Sequence, residues 1–241
     1  MTISFKEHFI KKFNDLLPRE GEVHILELGS GTSSAVVDFL KENKRVKYFG
    51  IEPSRAAYAE AQRKIGHLSN AKLENRLAYD APQDSFFDIS FSLSVLEHVK
   101  HLDKFIEASV KAVKPGGYII HRYDLGHALH PLSYKERFQV FLGNVFPFVL
   151  PEHKFVRYLD PEEVKRKMED AGAEVFDITY HQMPNHKAFL KYFESKGGEE
   201  DMLCTEIIDW EYKVSPLLKN FDKSVREKLF PAICVWGKRI N

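Results

Sequence analysis

Two glycines separated by one residue, Gly29 and Gly31, follow directly on an apolar run that ends in Glu27 and Leu28. A strand-to-helix turn of this kind gathers free backbone N–H groups and the positive end of a helix dipole at one point. Side chains there would hold a ligand off, which is a reason to place glycine. Three readings compete for the turn. A phosphate loop needs Lys and Ser/Thr after the second glycine, and GSGTSS carries no lysine. A dinucleotide fingerprint needs a third glycine where Ser34 stands, which weakens that reading without eliminating it. The third reading is a tight turn with no ligand. Glu52 ends the next apolar run, about 20 residues beyond Gly31, where a carboxylate can accept hydrogen bonds from both hydroxyls of a ribose.

Proton-transfer chemistry has its own candidates. Asp124 directly follows the apolar run ending in Tyr123, and His127 comes three residues later in YDLGHALH. A carboxylate can orient an imidazole and raise its basicity, so the pair reads either as a general base for a hydroxyl acceptor or as loop capping. His98, in VLEHV, reads as a structural or ligand-side residue. The histidines at 98, 101, 121, 127 and 130 come from different elements, and no two stand at zinc spacing with a third ligand, so no metal is expected.

These residues need elements to hold them. Val23 to Leu28 and Val46 to Ile51 read as buried strands, each followed by a helix, the first to about Leu40 and the second from Ala56 to Ile65. Phe87 to Ser94 alternates, with Phe87, Ile89, Phe91 and Leu93 on one face and Asp88, Ser90, Ser92 and Ser94 on the other. The serine face is small enough for close packing beside a ligand. A helix from Leu102 to Val113, a Lys114-Pro115-Gly116-Gly117 turn and a strand from Tyr118 to Tyr123 follow. This alternation implies βαβ units and a parallel sheet covered on both faces. Leu159 to Ala171 is expected as a helix with Asp160 as N-cap and Pro161 in its first turn, and Glu174 to Tyr180 and Ala232 to Lys238 as strands. The fold class expected is α/β, a Rossmann-like doubly wound sheet, mostly parallel with an antiparallel last strand and a helical lid insertion.

The chain of 241 residues suits one domain spanning 1–241, with an amphipathic helix carrying Phe5, Phe9 and Phe13 within residues 1–20 and an insertion at 124–158. The insertion is rich in aromatics and prolines and is the natural lid and acceptor pocket. Lys plus Arg equals Asp plus Glu, 35 each, so no global field gathers nucleic acid. Cys204 and Cys234 are expected as free thiols. The N-terminus lacks a continuous apolar signal region, and no apolar run approaches the roughly 18 residues of a membrane span. A cytoplasmic location is expected.

ELGSGTS, FGIEPS, DISFSLSVLEHV and VKPGGYIIH stand in this order over about residues 22 to 123. Together they resemble the successive motifs of class I S-adenosylmethionine-dependent methyltransferases, nearest the broad small-molecule group with a VLEHV…PGG pattern. The resemblance implies S-adenosyl-L-methionine as cofactor. It implies that Glu27 supports the turn and the methionine ammonium, and that Gly29, Ser30 and Gly31 give backbone approach. Glu52 would hold the ribose, Pro53 and Ser54 flank the adenine, Asp80 contact the adenine amino group, and Ser94 meet the methionine portion. Ser33 stands where the family has its third glycine, and the loop from Asp80 to Asp88 is one residue short. The stretch from His121 to Gly172 is similar to methyltransferases of bacterial surface-polysaccharide clusters. That similarity implies O-methylation of a sugar or glycan precursor, with Tyr123 and Arg157 meeting the acceptor. Methylation of a quinone, phenol or other secondary metabolite, a non-catalytic cofactor-binding module and an NAD-dependent oxidoreductase are the other readings.

Overall fold

A computed structural model of the protein describes residues 9–10, 15–82, 84–129, 134–146, 155–182, 192, 195–197 and 200–241. Seven strands form one sheet: β1 (Val23–Leu28), β2 (Val46–Ile51), β3 (Ala71–Glu74), β4 (Phe87–Leu93), β5 (Val113–Asp124), β6 (Ala173–His181) and β7 (Ala232–Arg239). Their order is β3-β2-β1-β4-β5-β7-β6. Strands β1 to β5 run parallel, and β7 lies antiparallel between β5 and β6. This is the expected α/β, Rossmann-like sheet with an antiparallel last strand.

The continuous apolar runs of β1 and β2 follow from burial on both faces. Ile25 packs with Phe39 and Leu40 of α1 (Val37–Glu42) and with Ala61 and Ile65 of α2 (Arg55–Ile65). Leu26 and Leu28 belong to the opposite layer, with Phe105 and Ile106 of α3 (Leu102–Ala112). Phe9 and Ile10, the described part of the N-terminal helix, pack on the first face beside Trp236. Phe5 and Phe13 lie outside the described residues. Cys234 is a buried free thiol on that face.

Four expectations are corrected. The chain after the glycine turn enters a 3-10 turn at Ser34–Val36, and α1 follows only from Val37. Strand β3 was not anticipated: its four residues, AKLE, are too few and too polar for a period to show. Strand β5 begins at Val113, so Lys114 to Gly117 lie within it, beside a register shift between Phe87 and Ile89. Of the expected serine face, Ser94 lines the cleft described below, but Ser90 and Ser92 do not. Ser90 Oγ meets Ser109 Oγ of α3 at 2.8 Å, and Ser92 Oγ meets His121 Nδ1 at 2.9 Å, all fully buried. Small hydroxyl side chains let α3 approach the sheet closely while leaving their polar atoms bonded.

Toward the C-terminus come α4 (Gly126–Leu129), α5 (Tyr134–Val145), α6 (Pro161–Asp170), α7 (Glu200–Leu218) and α8 (Lys223–Leu229). Asp160 caps α6 by accepting from the Glu162 N–H at 3.0 Å, with Pro161 in its first turn. Leu159 precedes that helix and is buried in the core. Among the described residues no helix is long and apolar enough to cross a membrane.

Candidate functional site

The C-terminal ends of β1, β2 and β4 open on a cleft of about 680 Å³. Its floor is the turn after β1. Gly29, Gly31 and Ser33 all adopt left-handed backbone, with φ of 76°, 55° and 52°. That alternation folds the chain back on itself. The N–H groups of Gly29 and Ser30 both reach the Ile51 carbonyl, at 2.8 and 3.0 Å.

The two glycines serve different ends. A Cβ on Gly29 would stand 2.7 Å from Val95 Cγ2, so this glycine lets the chain after β4 pack on the turn. A Cβ on Gly31 would meet nothing within 4 Å, so that position faces open cleft. Only the second fits the expectation that glycine clears space for a ligand.

Two carboxylates flank the turn, and both are buried. Glu52 accepts from the Gly31 N–H and from the Ser54 N–H, each at 2.8 Å. It therefore ties the β1 turn to the β2 turn besides facing the cleft. Asn75, which no sequence signal marked, donates to the Glu52 and Pro53 carbonyls at 2.7 and 3.1 Å. Glu27 accepts from the Tyr48 hydroxyl at 2.6 Å. Burial, reinforced by the Glu27 charge, pushes the Tyr48 phenol well above its usual range, so it remains a donor.

Glu27, Gly29, Ser30, Gly31, Glu52, Pro53, Ser54 and Ser94 all line the cleft. Asp80 does not. It sits in a 3-10 turn whose preceding residues, Leu77 to Tyr79, form that wall instead.

On the far wall stand Val95, His98, Val99 and Phe105. His98 Nδ1 lies 2.8 Å from the Phe155 carbonyl oxygen. A carbonyl only accepts, so Nδ1 carries the hydrogen and, in the neutral ring, Nε2 carries the lone pair. The same segment is tied down again, since the Arg157 N–H reaches the Glu97 carbonyl at 3.1 Å. Glu97 Oε1 accepts from the Asp124 N–H at 3.3 Å. The 97–98 turn is thus the point where the ends of β4 and β5 and the entry to α6 meet.

The acceptor-side candidates are placed as follows. Asp124 accepts from the Gly126 N–H at 2.7 Å and from Gln182 Nε2 at 3.5 Å, which caps α4. His127 lies on α4, and its side chain is outside the described residues, as are His130 and residues 147–154. Tyr123 is fully buried in the core and does not line the cleft, because its place on β5 turns it toward Leu159 and Ile233. Arg157 brings its backbone N–H to the Glu97 carbonyl in His98's turn. On α5 the aromatics Tyr134, Phe138 and Phe141 are exposed rather than packed. His121 is fully buried, and burial pushes its pKa down to about 3, so it stays neutral beside Ser92.

Residues 26–119 match the model of a methyltransferase domain family. A sterol 4-C-methyltransferase of Caenorhabditis elegans is 28% identical over 105 residues, 43% of this chain. The match spans only 31% of that relative's length. Among solved structures, phosphoethanolamine N-methyltransferase 2 of Haemonchus contortus with S-adenosyl-L-methionine superposes with a TM-score of 0.62 at 16% identity. The alignment covers 98% of this chain and 52% of that one. Geranyl diphosphate C-methyltransferase of Streptomyces coelicolor A3(2), with Mg2+, geranyl diphosphate and S-adenosyl-L-homocysteine, gives 0.59 at 15% identity, covering 95% and 76%.

Proposed function

We propose that this protein, whose residues 26–119 match the model of a methyltransferase domain family, is a class I S-adenosylmethionine-dependent methyltransferase that methylates a hydroxyl of a small acceptor, a sugar or glycan precursor. The observation that carries the reading is the pair of buried carboxylates, Glu27 and Glu52, on either side of a left-handed turn whose Gly31 faces open cleft. These residues fit S-adenosylmethionine: Glu52 has acceptor capacity for a ribose diol, and Glu27 is a fixed negative charge for an ammonium. The bound cofactor supplies an electrophilic methyl group on a sulfonium. Gly29, Ser30, Gly31, Pro53, Ser54 and Ser94 complete the cofactor wall, and Asp80 supports the adenine side only through its neighbours in the turn.

The protein's remaining task is to align an acceptor and take its proton. His98 suits the second task, because its Nδ1 is committed to the Phe155 carbonyl and its ring lines the cleft. Asp124 and His127 form the second reading of the base, with Arg157 on the acceptor side. The hydroxyl-bearing sugar rests on the His121 to Gly172 resemblance. The relatives act by name on a sterol, phosphoethanolamine and geranyl diphosphate, so a quinone, phenol or other secondary metabolite is the competing acceptor class.

A thermal-shift screen with S-adenosylhomocysteine, S-adenosylmethionine and NAD tests the cofactor. Stabilisation by NAD alone would overturn the reading. Labelled cofactor offered with nucleotide sugars, glycan precursors, quinones and phenols then tests the acceptor. No transfer to any acceptor by a protein that binds S-adenosylhomocysteine would favour a non-catalytic binding module.

Glu52→Ala should weaken S-adenosylhomocysteine by at least one to two orders of magnitude, because losing even one hydrogen bond to a charged group costs about 1.5–3 kcal/mol. It also frees the Gly31 and Ser54 N–H groups, so Glu52→Gln, which keeps one oxygen acceptor, should lose less. Calorimetry showing wild-type affinity for Glu52→Ala would remove Glu52 from the cofactor site.

A further inference from the structure

Tyr48 lies on β2, one strand away from the glycine turn, and only 2% of it is exposed. Its phenol runs along the strand toward the cleft. Gly50, next on the same face, makes that course available. A Cβ at Gly50 would fall 2.6 Å from the Tyr48 hydroxyl and 2.9 Å from its ring edge. The hydroxyl then reaches Glu27, whose own partner across the sheet is Gly50.

The direction of each proton follows from what the partners can do. A carboxylate only accepts, so the Tyr48 hydroxyl donates to Glu27. Ser33 Oγ, 3.4 Å from the Tyr48 oxygen, must then donate to it. The result is a polarised chain, Ser33 to Tyr48 to Glu27, in which each donor sharpens the next. It also accounts for a serine at φ 52°, a conformation that favours glycine. The strained residue is tied to the phenol by its hydroxyl.

We propose that Tyr48 is a positioning residue for the cofactor's amino-acid end. It fixes the Glu27 carboxylate in one orientation and, through Ser33, fixes the turn. This rests on the reading of Glu27 as facing the methionine ammonium. A residue that merely filled the core would affect every ligand of the cleft alike, whereas Tyr48 should affect only ligands that carry the amino-acid end.

Two probes separate these cases by calorimetry: S-adenosylhomocysteine, and 5′-methylthioadenosine, which has the nucleoside and sulfur but no amino acid. Tyr48→Phe keeps the buried ring and removes the hydroxyl. It should weaken S-adenosylhomocysteine about tenfold or more, the range for a lost hydrogen bond to a charged group, while leaving 5′-methylthioadenosine unchanged. Glu27→Gln should cost less S-adenosylhomocysteine affinity in the Tyr48→Phe background than it does alone, because the two side chains act as one unit. Ser33→Gly fits the left-handed backbone, and it should show the same selectivity at a smaller, roughly two- to threefold, loss should Tyr48→Phe fold poorly. Equal loss for both probes, or no loss for either, would overturn the proposal. A wild-type protein that binds both probes equally well would overturn the Glu27 reading beneath it.

Discussion

Gly31→Val should leave no measurable S-adenosylhomocysteine binding in a protein that still folds. A Cβ at Gly31 meets no protein atom within 4 Å, so a branched side chain there should extend into the cleft rather than the core. The cost to the fold is local. Gly31 has φ 55°, where a residue with a side chain pays about 1–2 kcal/mol, and a β-branched one sits worst. For a domain of this size that corresponds to roughly 2–8 °C in melting temperature. Calorimetry and a thermal melt together decide the matter. Normal binding would mean that the turn serves the fold alone. Loss of binding with wholesale unfolding would mean that the glycine supports the sheet. Gly29→Val is the contrast, since its clash is with Val95 and should appear chiefly as lost stability.

The second large effect is expected at His98. If this imidazole takes the acceptor's proton, His98→Ala should lower kcat by about 10²–10⁴ with unchanged S-adenosylhomocysteine affinity. The measurement needs the acceptor found with labelled cofactor. His98→Asn keeps a donor for the Phe155 carbonyl but offers no base, so it should fall as far as alanine. A role limited to holding the 155–157 segment would instead let asparagine recover most of the activity. Near-wild-type turnover of both variants across pH 6 to 9 would return the step to His127, whose alanine variant, with Asp124→Asn beside it, is tested in the same assay.

Much of the frame was legible because its signals are local. The runs Val23 to Leu28 and Val46 to Ile51 are continuous and apolar, as strands buried on both faces must be, and they occur at those bounds. Pro161 after Asp160 marks a helix start wherever it occurs. Glu52 could be located from the end of the second apolar run, and Glu27 from the motif resemblance. What stayed hidden depends on partners distant in sequence. Nothing in KYFGIE distinguishes Tyr48 from an ordinary core tyrosine, because its meaning comes from Glu27 on the neighbouring strand. Alternation sorted the serines of β4 onto one face correctly but could not say that helix α3 covers it. Asp80 does not line the cleft although Leu77 to Tyr79 do, and Tyr123 went to the core because strand parity, not proximity to the site, sets where a side chain points.

The place of β7 has a consequence for how the molecule comes into being. Among the described residues strand β6 pairs only with β7, and β5 borders β7 on its open side. Residues 182–231 must therefore be synthesised before either strand can complete its hydrogen bonds. Until then a growing chain holds a five-stranded parallel half with an open β5 edge, while β6 waits without a neighbour. Exposed edges of this kind invite pairing with other chains, and long-range closure is slow. Vectorial folding on the ribosome should thus stall at a half-sheet, whose last opening is sealed by a strand arriving from the far end of the sequence.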